Sequence, residues 1–177
     1  MDIHFKFSLQ YEKALNPEGG VTAFEERCSK MKAFWDEELY NIKKIFEEIT
    51  GLKFADKIIP CYLNSVFTIS DPLSLKIEDI DDMKDNLLHE LCHVLFMQNT
   101  LSKNKGWQEM LEAYKDEPFV TQVHSAIHAL HYLVTKELRP ERLENIMNYS
   151  KKQTYIKAWE IVNEKTPQYF IDLITKK

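Results

Sequence analysis

The chain has 177 residues, with 44% hydrophobic and 29% charged side chains and only 4 Gly and 6 Pro. This excludes a disordered or low-complexity chain and fits one compact domain that needs no disulfide or metal staple to bury a core. The net charge of −5 and the absence of any basic stripe exclude a nucleic-acid partner held by phosphate neutralisation.

Read in chain order, residues 3–9 alternate Ile3, Phe5, Phe7 and Leu9 with polar residues, which predicts a half-buried strand, and NPEGG at 16–20 breaks it. From Thr22 to Thr50 the apolar residues Phe24, Cys28, Met31, Trp35, Leu39, Ile42, Phe46 and Ile49 recur every three or four positions. That spacing is a long amphipathic helix, with Gly51 placed to end it. Residues 57–77 are β-branched and aromatic and predict two or three short strands, with Pro60 marking an edge or a strand end. From Ile77 onward the pattern is helical, over 79–98, 107–115, 118–138, 140–149, 151–164 and 167–175. Pro118, Pro140 and Pro167 sit where first turns would start. The class is α+β, mainly helical, with a small mixed N-terminal sheet. Within a single domain over 1–177, residues 1–78 form strand–helix–strands, 79–138 the chemistry-bearing helices and 139–177 a helical tail.

No apolar stretch approaches the roughly 20 residues of a membrane span, and the N-terminus lacks the apolar run of a secretory signal. Cys28, Cys61 and Cys92 are odd in number and form no CxxC pair. The expectation is a reducing, cytoplasmic compartment and no membrane partner. Cys92 is expected to pack as a small apolar residue, and Trp35, Trp107 and Trp159 to serve the core or an interface. The acidic run Glu78–Asp85 is expected to offset the dipole of the helix that follows.

Five of the six histidines fall in two clusters. The first lies in NLLHELCHVLF (86–96) and reads His89-Glu90-Leu91-Cys92-His93, an HExxH. On a helix, residues four apart share a face, so both imidazoles can reach one ion, and Glu90 can lean over the same point without ligating. Neutral imidazoles are zinc ligands, and a nearby carboxylate can take a proton from a metal-bound water.

A catalytic zinc needs a third protein ligand and one open position. The extended form of the motif with Gly and a third His fails, because Phe96 and Asn99 stand at those places. The second cluster, VHSAIHALHYL (123–133), places His124, His128 and His131 along one helical face beside a core stripe. Glu112 is the competing source, with Asp116, Glu109 and Glu137 behind it. The histidine cluster is preferred, and within it His124 before His128. Were His89, His93, His124 and His128 all to bind, the site would be closed and structural. A catalytic site therefore takes one of the pair and leaves the other, or His131, to support the ligands or face substrate. His131 or Tyr132 could then stabilise a developing oxyanion.

HELCH on a helix after a strand–helix–strand unit resembles the catalytic half of compact zinc metallopeptidases of the zincin group, and HSAIHALHYL is similar to a His-bearing helix in small prokaryotic metallopeptidases. The resemblance implies a zincin-like domain, with His89 and His93 as zinc ligands and Glu90 as general base. It also implies a peptide or protein substrate laid along an edge strand within 66–77. It leaves endopeptidase and aminopeptidase action open. The rival readings are a non-catalytic zinc protein with a closed histidine site and an inactive peptidase-like binding module.

Overall fold

The computed structural model describes residues 1–6, 21–99, 103–148 and 152–175. It opens with strand β1 (Asp2–Lys6) and helix α1 (Val21–Thr50), followed by strands β2 (Ile58–Asn64), β3 (Ile69–Ser70) and β4 (Leu73–Lys76). Helices α2 (Ile80–Gln98), α3 (Lys105–Ala113) and α4 (Phe119–Leu138) come next. A 3₁₀ turn (Pro140–Arg142), α5 (Leu143–Asn148), α6 (Gln153–Lys165) and α7 (Pro167–Ile174) complete it. The expected strand positions 7–9 and the NPEGG break lie outside the described residues.

The sheet order is β1-β2-β4-β3, with β1, β2 and β4 parallel and β3 antiparallel to β4. The sheet is small and mixed and the rest is mostly helix, as an α+β chain requires. β2 is interior in the strand order, yet Pro60 lies in a stretch of it that is locally an edge. The missing N–H is tolerated because β4 pairs with β2 only from Tyr62 onward, so Pro60 sits where β2 has a single neighbour, opposite His4 of β1. The expected 140–149 helix is also corrected: it starts as a 3₁₀ turn and becomes α-helical only at Leu143.

Period dictates the core. On α1, Phe24, Met31, Trp35, Ile42 and Phe46 are buried, seven or four residues apart, and Gly51 ends the helix at φ 66° with its N–H on the Glu47 carbonyl. α2 begins at an Asp79 cap whose side chain accepts from the Asp81 N–H, and it buries Met83, Leu87, Leu88, Leu91 and Leu95. α4 packs against α1, α2, α6 and α7. One hydrophobic cluster thus runs from Met1 to Ile174. Packing between α3 and α7 is close enough that a Cβ on Gly106 would stand 1.8 Å from the Leu173 carbonyl oxygen. Among the described residues, no helix is long and apolar enough to cross a membrane.

Candidate metal centre

The geometry of α2 puts His89 and His93 on one face, with ring centroids 5.2 Å apart. Cys92, inside the motif, turns the other way. It is buried, its thiol donates to the Leu88 carbonyl, and burial raises its pKa, as suits a packing residue. Cys28, Cys61 and Cys92 are all free thiols.

α4 crosses α2 so that its histidine face meets this pair. The ligating atoms of His89, His93 and His124 all lie within 4.8 Å of one another, close enough to hold a metal ion. The His124 Nδ1 is 2.9 Å from the Val120 carbonyl oxygen. A carbonyl only accepts, so Nδ1 carries the proton and Nε2 presents its lone pair. This is the orientation that backbone partners impose on metal-binding imidazoles.

His128 does not join the group, which corrects the four-histidine set. Its ring lies flat on Trp159 at 4.3 Å and 13°, and its buried Nδ1 has no partner. Its ring also lies within 5.7 Å of those of His89 and His124, but its nitrogens are not among the three that group within 4.8 Å. The carboxylates weighed as third ligand point elsewhere. Glu112 is exposed and pairs with Lys115 at 2.7 Å, Glu109 faces Lys105, and Asp116 and Glu137 are exposed. Each belongs to a solvated helix face or turn.

His131 lines the same cavity as His89 and Glu90. Its ring is hydrogen-bonded to the Asp85 carbonyl, while Nε2 is buried without a partner. The one N–H of the neutral ring is therefore already used. Tyr132 packs against the core.

Burial lowers the pKa of every histidine of the cluster. His93 and His131 fall to about 3 and His89, His124 and His128 are shifted down as well, the like charges of their neighbours adding to the effect. All five are thus neutral near pH 7, the form in which imidazole binds a metal. Glu90 is only 7% exposed, and burial pushes its carboxyl up to about 7 against the opposing hydrogen bond from Ser70 of β3.

His89, Glu90, His128 and His131 line a cavity of about 460 Å³. Tyr155 and Trp159 of α6 line it as well, together with Val66 and Phe67, both exposed. Tyr155 stacks on His124, and its phenol is raised first by burial and then by the charge of Glu90. Sequence reasoning missed Tyr155; the available signal was its four-residue spacing from Trp159 on an amphipathic helix. Trp159 is buried, as are Trp35 and Trp107, but it also faces the cavity.

The acidic run before the motif has a second role beyond the helix dipole. Arg139 donates to Asp81 and Asp85, and Arg142 to Asp82 and Asp85. Burial raises Asp85 while the two guanidiniums hold it down. This cluster ties the start of α2 to the end of α4, and so sets how the two histidine-bearing helices meet.

In comparisons with family models, curated proteins and solved structures, nothing matches this chain.

Proposed function

We propose that the chain is a zinc-dependent metallopeptidase acting at His89, His93 and His124. The observation that carries this reading is Glu90: a buried carboxylate lining a cavity, next in sequence to one candidate ligand and hydrogen-bonded by Ser70 on the sheet's edge strand. A purely structural metal site has no use for a buried carboxylate that stays outside the ligand group.

Three neutral imidazoles would suit zinc, which when held there would supply Lewis acidity and an activated water. Glu90 would accept a proton from the attacking water and return it to the leaving amine. The Tyr155 hydroxyl donates to the developing oxyanion from the α6 wall. β3 is an edge strand, so its outer backbone can pair with an extended peptide, and Val66 and Phe67 give a substrate side chain an apolar surface.

The test is zinc content and cleavage of an unfolded protein such as reduced casein, for wild type and Glu90→Gln. One zinc per chain in both, with cleavage lost in the variant and on chelation, supports the peptidase. Zinc in both, cleavage in neither, and unfolding on chelation would replace it with a structural zinc protein. A wild type without zinc or cleavage would leave an inactive peptidase-like binding module.

A further inference from the structure

The turn between β2 and β3 lines the cavity with Val66, Phe67 and Thr68, and its two apolar side chains are 54% and 44% exposed. Apolar residues scattered singly over a surface are ordinary. Here two adjacent ones line the same cavity as Glu90, in a turn, where polar residues, Gly and Pro are the usual choice.

One buried side chain holds that turn. Asn64, the last residue of β2, is 4% exposed. Its Oδ1 accepts from the Val66 and Phe67 N–H groups, each at 2.8 Å. Its Nδ2 donates to the carbonyls of Phe67 at 2.9 Å and Leu75 at 3.4 Å. An asparagine amide offers two acceptor and two donor positions, and all four are used. An aspartate would set a charge against two carbonyls, and a leucine would leave two N–H groups without this acceptor. At the far end of the turn Thr68 Oγ1 accepts from the Lys76 N–H at 2.9 Å. The turn is thus tied to β4 at both ends.

What covers Val66 and Phe67 follows from what shares the cavity. Ile146 and Trp159 of the helical tail line it too, so apolar groups reach it from both the sheet and the helices. The turn leads directly into β3, whose outer edge is open and whose Ser70 is hydrogen-bonded to Glu90. A peptide paired with that edge presents alternate side chains to one side. A bulky apolar side chain there would cover the two exposed residues and gain by leaving water.

We propose that Asn64 is a positioning residue that holds Val66 and Phe67 as a preformed apolar lip, and that this lip selects peptides with a bulky apolar side chain near the scissile bond. Because Asn64 orders the turn before a peptide arrives, binding has less entropy to lose. The choice of a peptide substrate as occupant rests on the peptidase reading.

The experiment uses the full chain carrying Glu90→Gln, to prevent cleavage, and follows its ¹⁵N amide shifts. The probes are Gly-Phe-Gly, Gly-Ser-Gly and Gly-Glu-Gly, each acetylated and amidated. The Phe peptide should shift the Val66 and Phe67 amides and bind at least about tenfold tighter than the Ser peptide, as burial of one aromatic side chain allows. Adding Phe67→Ser, a change at an exposed position, should bring the two peptides within about threefold of each other. Adding Asn64→Ala should do the same with Phe67 still present, and should speed amide exchange at Val66 and Phe67 at least about tenfold. Equal binding of the Phe and Ser peptides, tighter binding of the Glu peptide, or an undiminished preference with Phe67→Ser would overturn the lip. An undiminished preference with Asn64→Ala would overturn the positioning role of Asn64. Should Asn64→Ala not fold, exchange in the wild type decides: slowed Val66 and Phe67 amides support the role, and unprotected ones refute it. Preference for the Phe peptide with no cleavage of casein by the wild type would support the lip and overturn the peptidase. Cleavage of casein with no preference would overturn the lip alone.

Discussion

The ring of Tyr155 lies on that of His124, with centroids 4.3 Å apart and planes 25° from parallel. One face of a candidate ligand is thereby held by a residue from the helical tail, and the phenol of the same residue feels the charge of Glu90. Ring and hydroxyl have separable roles. Tyr155→Phe keeps the stack and is expected to lower kcat about tenfold to a hundredfold with zinc affinity unchanged. Tyr155→Ala should lower zinc affinity as well. Steady-state kinetics with parallel zinc titrations check both. Unchanged kcat in Tyr155→Phe would remove the hydroxyl from the chemistry.

The third ligand is tested by comparing His124→Ala with Glu112→Ala. Zinc at about a thousand times its Kd should stabilise the wild type by about 4 kcal/mol, seen as a rise in Tm that a chelator reverses. His124→Ala is expected to lose most of that rise. Glu112→Ala should keep it, because Glu112 is spent on an exposed pair with Lys115. The opposite pattern would move the ligand to α3.

Stability of the metal-free protein should climb with pH between about 4.5 and 6.5. His131 and His93 have folded values near 3 against about 6.5 in the unfolded chain, so below 6.5 the unfolded chain binds more protons. Their contribution is complete above 6.5 and disappears as pH falls toward 3, about 1.4 kcal/mol per pH unit for buried His131. Glu90 acts oppositely: its folded value of about 7 means stability is lost as its carboxyl ionises between about 4.5 and 7. Urea titrations of metal-free wild type and Glu90→Gln check the sign. The variant should gain stability more steeply with pH, and a wild type most stable near pH 4.5 would contradict the assignment.

Arg139 and Asp85 form the most buried ion pair among the described residues, with side chains 10% and 8% exposed. Asp85 keeps Arg142 when Arg139 is removed, so Arg139→Ala is expected to cost about 1.5–3 kcal/mol by denaturant unfolding, the loss of charged hydrogen bonds rather than of the whole charge balance. Lys30→Ala on the exposed face of α1 serves as control, since its solvent-screened pair with Glu26 is expected to leave stability unchanged.

Gly106→Ala should destabilise even though alanine favours helix by about 1 kcal/mol. The added methyl would meet a backbone carbonyl of α7 that cannot rotate away, so a net loss of about 1–3 kcal/mol is expected. A neutral or stabilising result in thermal unfolding would show that α3 and α7 separate easily.

Periodicity by itself determined the α1 face from Phe24 to Phe46, the extent of α2 and α4, and the pairing of His89 with His93, because a helix repeats every 3.6 residues and its faces are local properties. It likewise placed His124, His128 and His131 on one stripe. Local pattern could not choose among them, since the choice depends on how α4 crosses α2. Only the tertiary structure brought His124 to His93, laid His128 on Trp159 and gave the His131 N–H to Asp85. The same holds for Pro60, tolerated inside β2 by the register of its neighbours, and for Tyr155, which reaches the cavity from 24 residues beyond His131. Arg139 and Arg142 lie more than fifty residues from the aspartates they bind, and attraction between opposite charges leaves no periodic trace in a chain. What is local could be read from spacing; what depends on the crossing of two helices, and on the buried charges that hold it, existed only once the chain had folded.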